Sequence, residues 1–96
     1  MNSTPEPTGT LEVALAHTER LLSRDPALAL EQAEEILKVV PGHPKAVLVT
    51  GIAQRSLGDL PAALQTLRTL AGSQPRSAIT HFEYGQTLSE RSEEHT

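Results

Sequence analysis

Residues 44–75 read PKAVLVTGIAQRSLGDLPAALQTLRTLAGSQP, and their spacing predicts two helices joined by a tight turn. The first half carries apolar or small residues at Val47, Leu48, Gly51, Ile52 and Leu57. The second carries them at Leu60, Ala63, Leu64, Leu67, Leu70 and Ala71. Steps of three and four put one apolar stripe on each helix, with Gln65, Thr66, Arg68 and Thr69 expected on the far side. Between the halves, Gly58 suits the left-handed conformation that ends a helix. Asp59 can cap the next helix, and Pro61 fits its first turn, where a missing N–H costs nothing.

The same pattern recurs in both directions. Pro41 pairs with Pro75, Ala29 with Ala63, Leu30 with Leu64, Ile36 with Leu70, Leu48 with Phe82, Thr50 with Tyr84 and Gly51 with Gly85, each pair 34 residues apart. A fixed step of this size indicates an array of helical hairpins. In pattern as well as period, residues 26–90 resemble the tetratricopeptide repeat (TPR) family. Gly51, Gly58, Ala63 and Pro75 stand at positions like that family's small first-helix residue, turn glycine, small second-helix residue and closing proline. Tyr84 and Gly85 stand at the large-and-small pair of a third first helix. The resemblance implies an all-α fold: antiparallel helix-turn-helix repeats stacked as a short right-handed α-solenoid, about two and a half units and five helices.

Along the chain, residues 1–9 are polar and hold Pro5, Pro7 and Gly9, so they are expected to be disordered. A helical domain is expected over 10–90. Thr10 should cap a first helix running to about Ser23, with Leu11, Ala14, Leu15, Leu21 and Leu22 on its apolar face. Asp25-Pro26 opens a second helix, a cap followed by proline at the first position. Leu30, Ala33, Ile36 and Leu37 should face inward there, with Glu31, Glu34 and Glu35 solvated outside. Pro41-Gly42-His43-Pro44 stops that helix, and Ser77 caps a fifth. The closing RSEEHT breaks the repeat, with Ser92 where a turn glycine is expected. It resembles the translation of a sequencing adapter, so residues 91–96 are expected to be a non-native or frayed tail.

Composition narrows the function. The chain has 96 residues and a net charge of −4, with 2% aromatic residues and no cysteine. An acidic chain without a basic stripe or stacking rings does not suit nucleic acid. The lack of cysteine leaves no disulfide framework or thiolate metal site and fits a cytoplasmic protein. No apolar run reaches the length of a membrane span, and the amino end lacks the basic and apolar parts of a secretory signal.

Nor do the residues assemble a catalytic constellation. His17, His43, His81 and His95 form no metal-ligand spacing, and His43 is expected to be a solvated loop residue. Ser56 and Ser73 lack a neighbouring base and a nucleophile elbow. The glycines do not form a phosphate loop. No catalytic residue, cofactor site or metal site is therefore expected.

A stack of hairpins offers a concave face lined by successive first helices. The expected groove positions are Lys45, Leu48, Ile52, Arg55, Ile79, Phe82 and Gln86, an apolar strip with cationic edges. It would take an extended or helical peptide with acidic flanks. Alternatively, these side chains pack against a neighbouring repeat or domain. The carboxylate-binding version of the resembled family uses asparagine where Ile52 and Gln86 stand, so a terminal carboxylate is not the expected ligand.

Two functions remain open: a non-catalytic protein-interaction scaffold, or the accessory repeat region of an enzyme. For the second, residues 25–59 resemble the start of bacterial TPR-containing sulfotransferases, in which transfer from a phosphoadenosine phosphosulfate donor belongs to a later domain. Ile79, Phe82, Tyr84 and Leu88 would lack a covering helix. Marginal stability or self-association through that end is expected.

Overall fold

The computed structural model of the chain describes residues 7–94. Five helices follow one another: α1 (Pro7–Leu21), α2 (Pro26–Val39), α3 (Pro44–Ser56), α4 (Leu60–Ser73) and α5 (Ala78–Glu94). There is no strand among the described residues. Each helix packs on its neighbours in sequence. Beyond those, α1 touches α3 and α3 touches α5. The radius of gyration is 14.3 Å and the extents are 60 × 28 × 19 Å.

The punctuation works as its chemistry requires. Asp25 Oδ1 accepts the N–H of Leu28 at 3.1 Å, and Asp59 Oδ1 accepts that of Ala62 at 3.3 Å. Ser77 Oγ accepts the N–H of Thr80 at 3.2 Å. Gly42 and Gly58 take φ of 76° and 88°, the left-handed region that a side chain would strain.

Among the described residues, six of the twelve buried apolar side chains are alanine: Ala29, Ala33, Ala46, Ala53, Ala63 and Ala71. Small side chains at the crossings let the helices approach closely, and Leu15, Ile36, Val49, Leu60, Leu67 and Leu70 fill the spaces between them. Gly51 marks a close approach. A Cβ there would lie 2.6 Å from Cγ and Cδ2 of Leu67, which is itself fully buried. Buried threonines avoid an unpaired hydroxyl by bonding back one turn: Thr18 to the Ala14 carbonyl at 2.7 Å, and Thr50 to that of Ala46 at 2.8 Å.

Four expectations are corrected. α1 begins at Pro7, so Thr10 lies inside it and residues 7–9 are helical; residues 1–6 of the expected disordered segment lie outside the described residues. α1 ends at Leu21, two residues before the expected stop at Ser23. Thr66 does not face away but donates to Gln54 Oε1 at 2.8 Å, tying α4 to α3. Of the expected non-native or frayed tail, residues 91–94 are placed as a continuation of α5, with no turn at Ser92. Residues 95 and 96 lie outside the described residues.

Candidate functional site

The chemistry available on the α1–α3–α5 side is set by where the helix starts fall. Pro44 opens α3 and points Lys45 and Leu48 toward a groove that Ile79 and Thr80 of α5 border, with Glu19 of α1 opposite. This depression holds about 340 Å³. A second of about 600 Å³ shares Glu19, Pro44 and Lys45 with it and runs on past Leu11, Leu15 and His43. Through these shared residues the two adjoin as one trough along α1, α3 and α5. Its floor is leucine and isoleucine, and its charges are Lys45 on one wall and Glu12 and Glu19 on the other.

Of the seven expected groove residues, Lys45, Leu48 and Ile79 meet in this trough. Ile79 is 52% exposed. Phe82, 60% exposed, stands on the surface of α5 outside it. Ile52 is half-buried, and Gln86 is exposed.

Arg55 has another job and is not a cationic edge. Its guanidinium donates to the Glu83 carboxylate at 2.5 Å, to the Glu83 carbonyl at 3.0 Å and to Thr87 Oγ1 at 3.1 Å. Nε lies 3.6 Å from Glu90. The Arg55 and Glu83 side chains are only 15% and 13% exposed. This cluster clamps α3 to α5.

The 34-residue step could have revealed the clamp. Arg55 and Glu83 occupy the positions of Leu21 and Val49 one step earlier, and Thr80 and Thr87 those of Ala46 and Ala53. At the earlier joint Leu21 packs on the cluster of Ala29, Ala33 and Val49. An apolar joint between α1 and α3 thus becomes an ionic one between α3 and α5.

His43 is also more than a solvated loop residue. Half-buried, it caps α3, with Nδ1 accepting the N–H of Lys45 at 3.2 Å. His81 reaches the Pro75 carbonyl through Nε2 at 2.9 Å, bracing the turn before α5. The exposed Lys38 is paired with Glu35 at 2.9 Å, and that hydrogen bond holds its pKa above the usual lysine value. Among the described residues, no group of three or more His, Asp or Glu is placed to hold a metal ion. No helix among them is long and apolar enough to cross a membrane.

No family model matches the chain. No solved structure matches it. Curated relatives named "FK506-binding protein-like" do match. The rat (Rattus norvegicus) protein is 32% identical over 86 residues, covering 85% of this chain and 25% of the relative. The human (Homo sapiens) protein is 30% identical over 86 residues, covering 85% and 25%. The mouse (Mus musculus) protein is 33% identical over 84 residues, covering 88% and 24%. The chain therefore spans about a quarter of the length of the curated relatives it matches. These matches overturn the resemblance drawn from the residues. The relatives carry a different family name from the TPR proteins, and they are mammalian proteins rather than bacterial sulfotransferases. The repeated spacing of alanine, glycine and proline reports helix packing, and packing alone does not identify a family.

Proposed function

We infer that this chain is a non-catalytic protein-interaction scaffold, a short right-handed α-solenoid of about two and a half helical hairpins. Sequential packing, the contacts of α1 with α3 and of α3 with α5, and the 34-residue step support the solenoid. The observation that carries the function is the convergence of Lys45, Leu48 and Ile79 on one trough facing Glu19. An open apolar floor with one cation and two anions on its walls suits a peptide that buries a few side chains and pairs a charge at each edge. The acidic balance of the chain disfavours nucleic acid as a partner. A cytoplasmic setting suits a chain without cysteine. FK506 recognition, which names the relatives, forms no part of this reading.

Selection of peptides from a random display library against the full chain tests it. Enriched peptides should carry an apolar residue beside an acidic one. They should bind about tenfold more weakly to Ile79→Asp and Lys45→Glu chains, both exposed changes that leave the core intact. Peptides indifferent to both substitutions would refute the assignment.

A further inference from the structure

Each of the first four helices turns apolar side chains into the core: Leu15 from α1, Ile36 from α2, Val49 from α3 and Leu67 from α4 are examples. None of the buried apolar residues belongs to α5. Its buried side chains are Thr80 and Thr87, which stand one 34-residue step beyond Ala46 and Ala53. Tyr84 and Leu88 are half-buried, and Ile79 and Phe82 are exposed. What ties α5 to α3 is polar. Arg55 donates to the Glu83 carboxylate, to the Glu83 carbonyl and to Thr87 Oγ1. Thr87 in turn donates to the Glu83 carbonyl of its own helix at 2.8 Å. The bonds of Ser77 with Thr80, and of His81 with the Pro75 carbonyl, lie within residues 75–81. They travel with α5 and do not anchor it.

Apolar burial stabilises docking in proportion to the area removed from water, whereas a buried ion pair gains little beyond its own desolvation. Elements with few buried apolar contacts open at lower free energy than the core they rest on. We propose that α5 is a hinged wall of the trough, which undocks as a unit while α1–α4 stay folded, with the Arg55 cluster as its latch. Once undocked, a helix of 17 residues is marginal in water, so α5 unfolds as it leaves. Its departure changes the trough. Ser77, Ile79 and Thr80 border the space over Lys45 and Leu48, and opening removes the apolar wall that Ile79 supplies. A ligand that needs Ile79 binds the docked state and holds α5 closed in turn. That the opening regulates binding rests on reading the trough as a peptide site; the opening itself does not.

The test needs no peptide, so its failure is separate from a failure of the peptide reading. The chain has no cysteine, so a single introduced thiol reports a single place. Thr80 of α5 and Val49 of α3 are equally withdrawn, at 2% exposure each. Full-length Thr80→Cys and Val49→Cys chains are treated with iodoacetamide under native conditions, and alkylation is followed by mass spectrometry. The thiol of the Thr80→Cys chain should react at least about tenfold faster than that of the Val49→Cys chain. Adding Arg55→Leu should speed it by about a further tenfold or more. Ile36→Val loosens the cluster of Leu15, Ile36 and Ala46. It should speed the Val49→Cys thiol a few-fold and leave the Thr80→Cys thiol unchanged. In the unsubstituted chain, amides of residues 80–90 should exchange with deuterium at least about tenfold faster than those of residues 46–56. Equal rates for the two thiols, or equal exchange of the two stretches, would overturn the proposal. So would an α5 thiol that ignores Arg55→Leu or is accelerated by Ile36→Val, because α5 would then open only with the whole chain.

Discussion

Arg55 and Glu83 are joined twice, through the carboxylate and through the backbone carbonyl of Glu83, across the joint between α3 and α5. Both side chains are largely withdrawn from water. An ion pair in such a place gains little over an apolar pair of the same shape, because desolvation offsets the attraction. Removing one partner is different, since the other charge is then stranded. Arg55→Leu alone should therefore lower unfolding free energy by roughly 2–4 kcal/mol, at or below the range for a fully buried pair. The double change Arg55→Leu with Glu83→Val recreates the Leu21 and Val49 pairing of the earlier joint. It should recover most of that loss. Urea denaturation of the three chains measures it, and a double variant no more stable than the single one would contradict the equivalence of the two joints.

Gly51 and Gly85 should respond to the same substitution with opposite signs. Alanine at Gly51 drives a methyl into Leu67, which is fully buried and has no room to retreat. Overpacking of this kind costs about 1–3 kcal/mol, more than the gain of about 0.5–1 kcal/mol from replacing glycine inside a helix. Alanine at Gly85 meets open space and keeps only the gain. Thermal melts should show Gly51→Ala below and Gly85→Ala level with or above the parent. Two melts shifted in the same direction would show that the two positions are not distinguished by their cover.

What was legible in the residues was punctuation and stripe. Asp25, Asp59, Ser77 and Gly58 each act by local chemistry, so their roles could be read without knowing what lies across the fold. Long-range pairing was not legible within any one helix and needed the 34-residue step to be followed residue by residue. Arg55 has the solvated look of a surface cation until α5 brings Glu83 to it from 28 residues away. Thr66 looked outward for the same reason, its partner Gln54 lying on another helix. Only three of the seven groove residues converge, because helical spacing fixes which residues share a stripe but not which neighbour covers it. Family membership was less legible still. Small residues at close crossings are demanded by any stack of helices, so they carry little ancestry.

His43 caps α3 because Pro44 leaves no N–H at the first helical position, and the next donor, that of Lys45, lies within reach of Nδ1 at 3.2 Å. Accepting that bond requires the imidazole tautomer with its hydrogen on Nε2. An aspartate at the same place could accept from the first turn and would add a negative charge at the positive end of the helix. His43→Ala should therefore lower stability by about 0.5–2 kcal/mol. His43→Asp should match or exceed the parent by a few tenths, up to about 1 kcal/mol. Chemical denaturation at one pH distinguishes the pair. If alanine and aspartate gave the same midpoint, the imidazole would be holding its place by packing against the trough and not by capping α3.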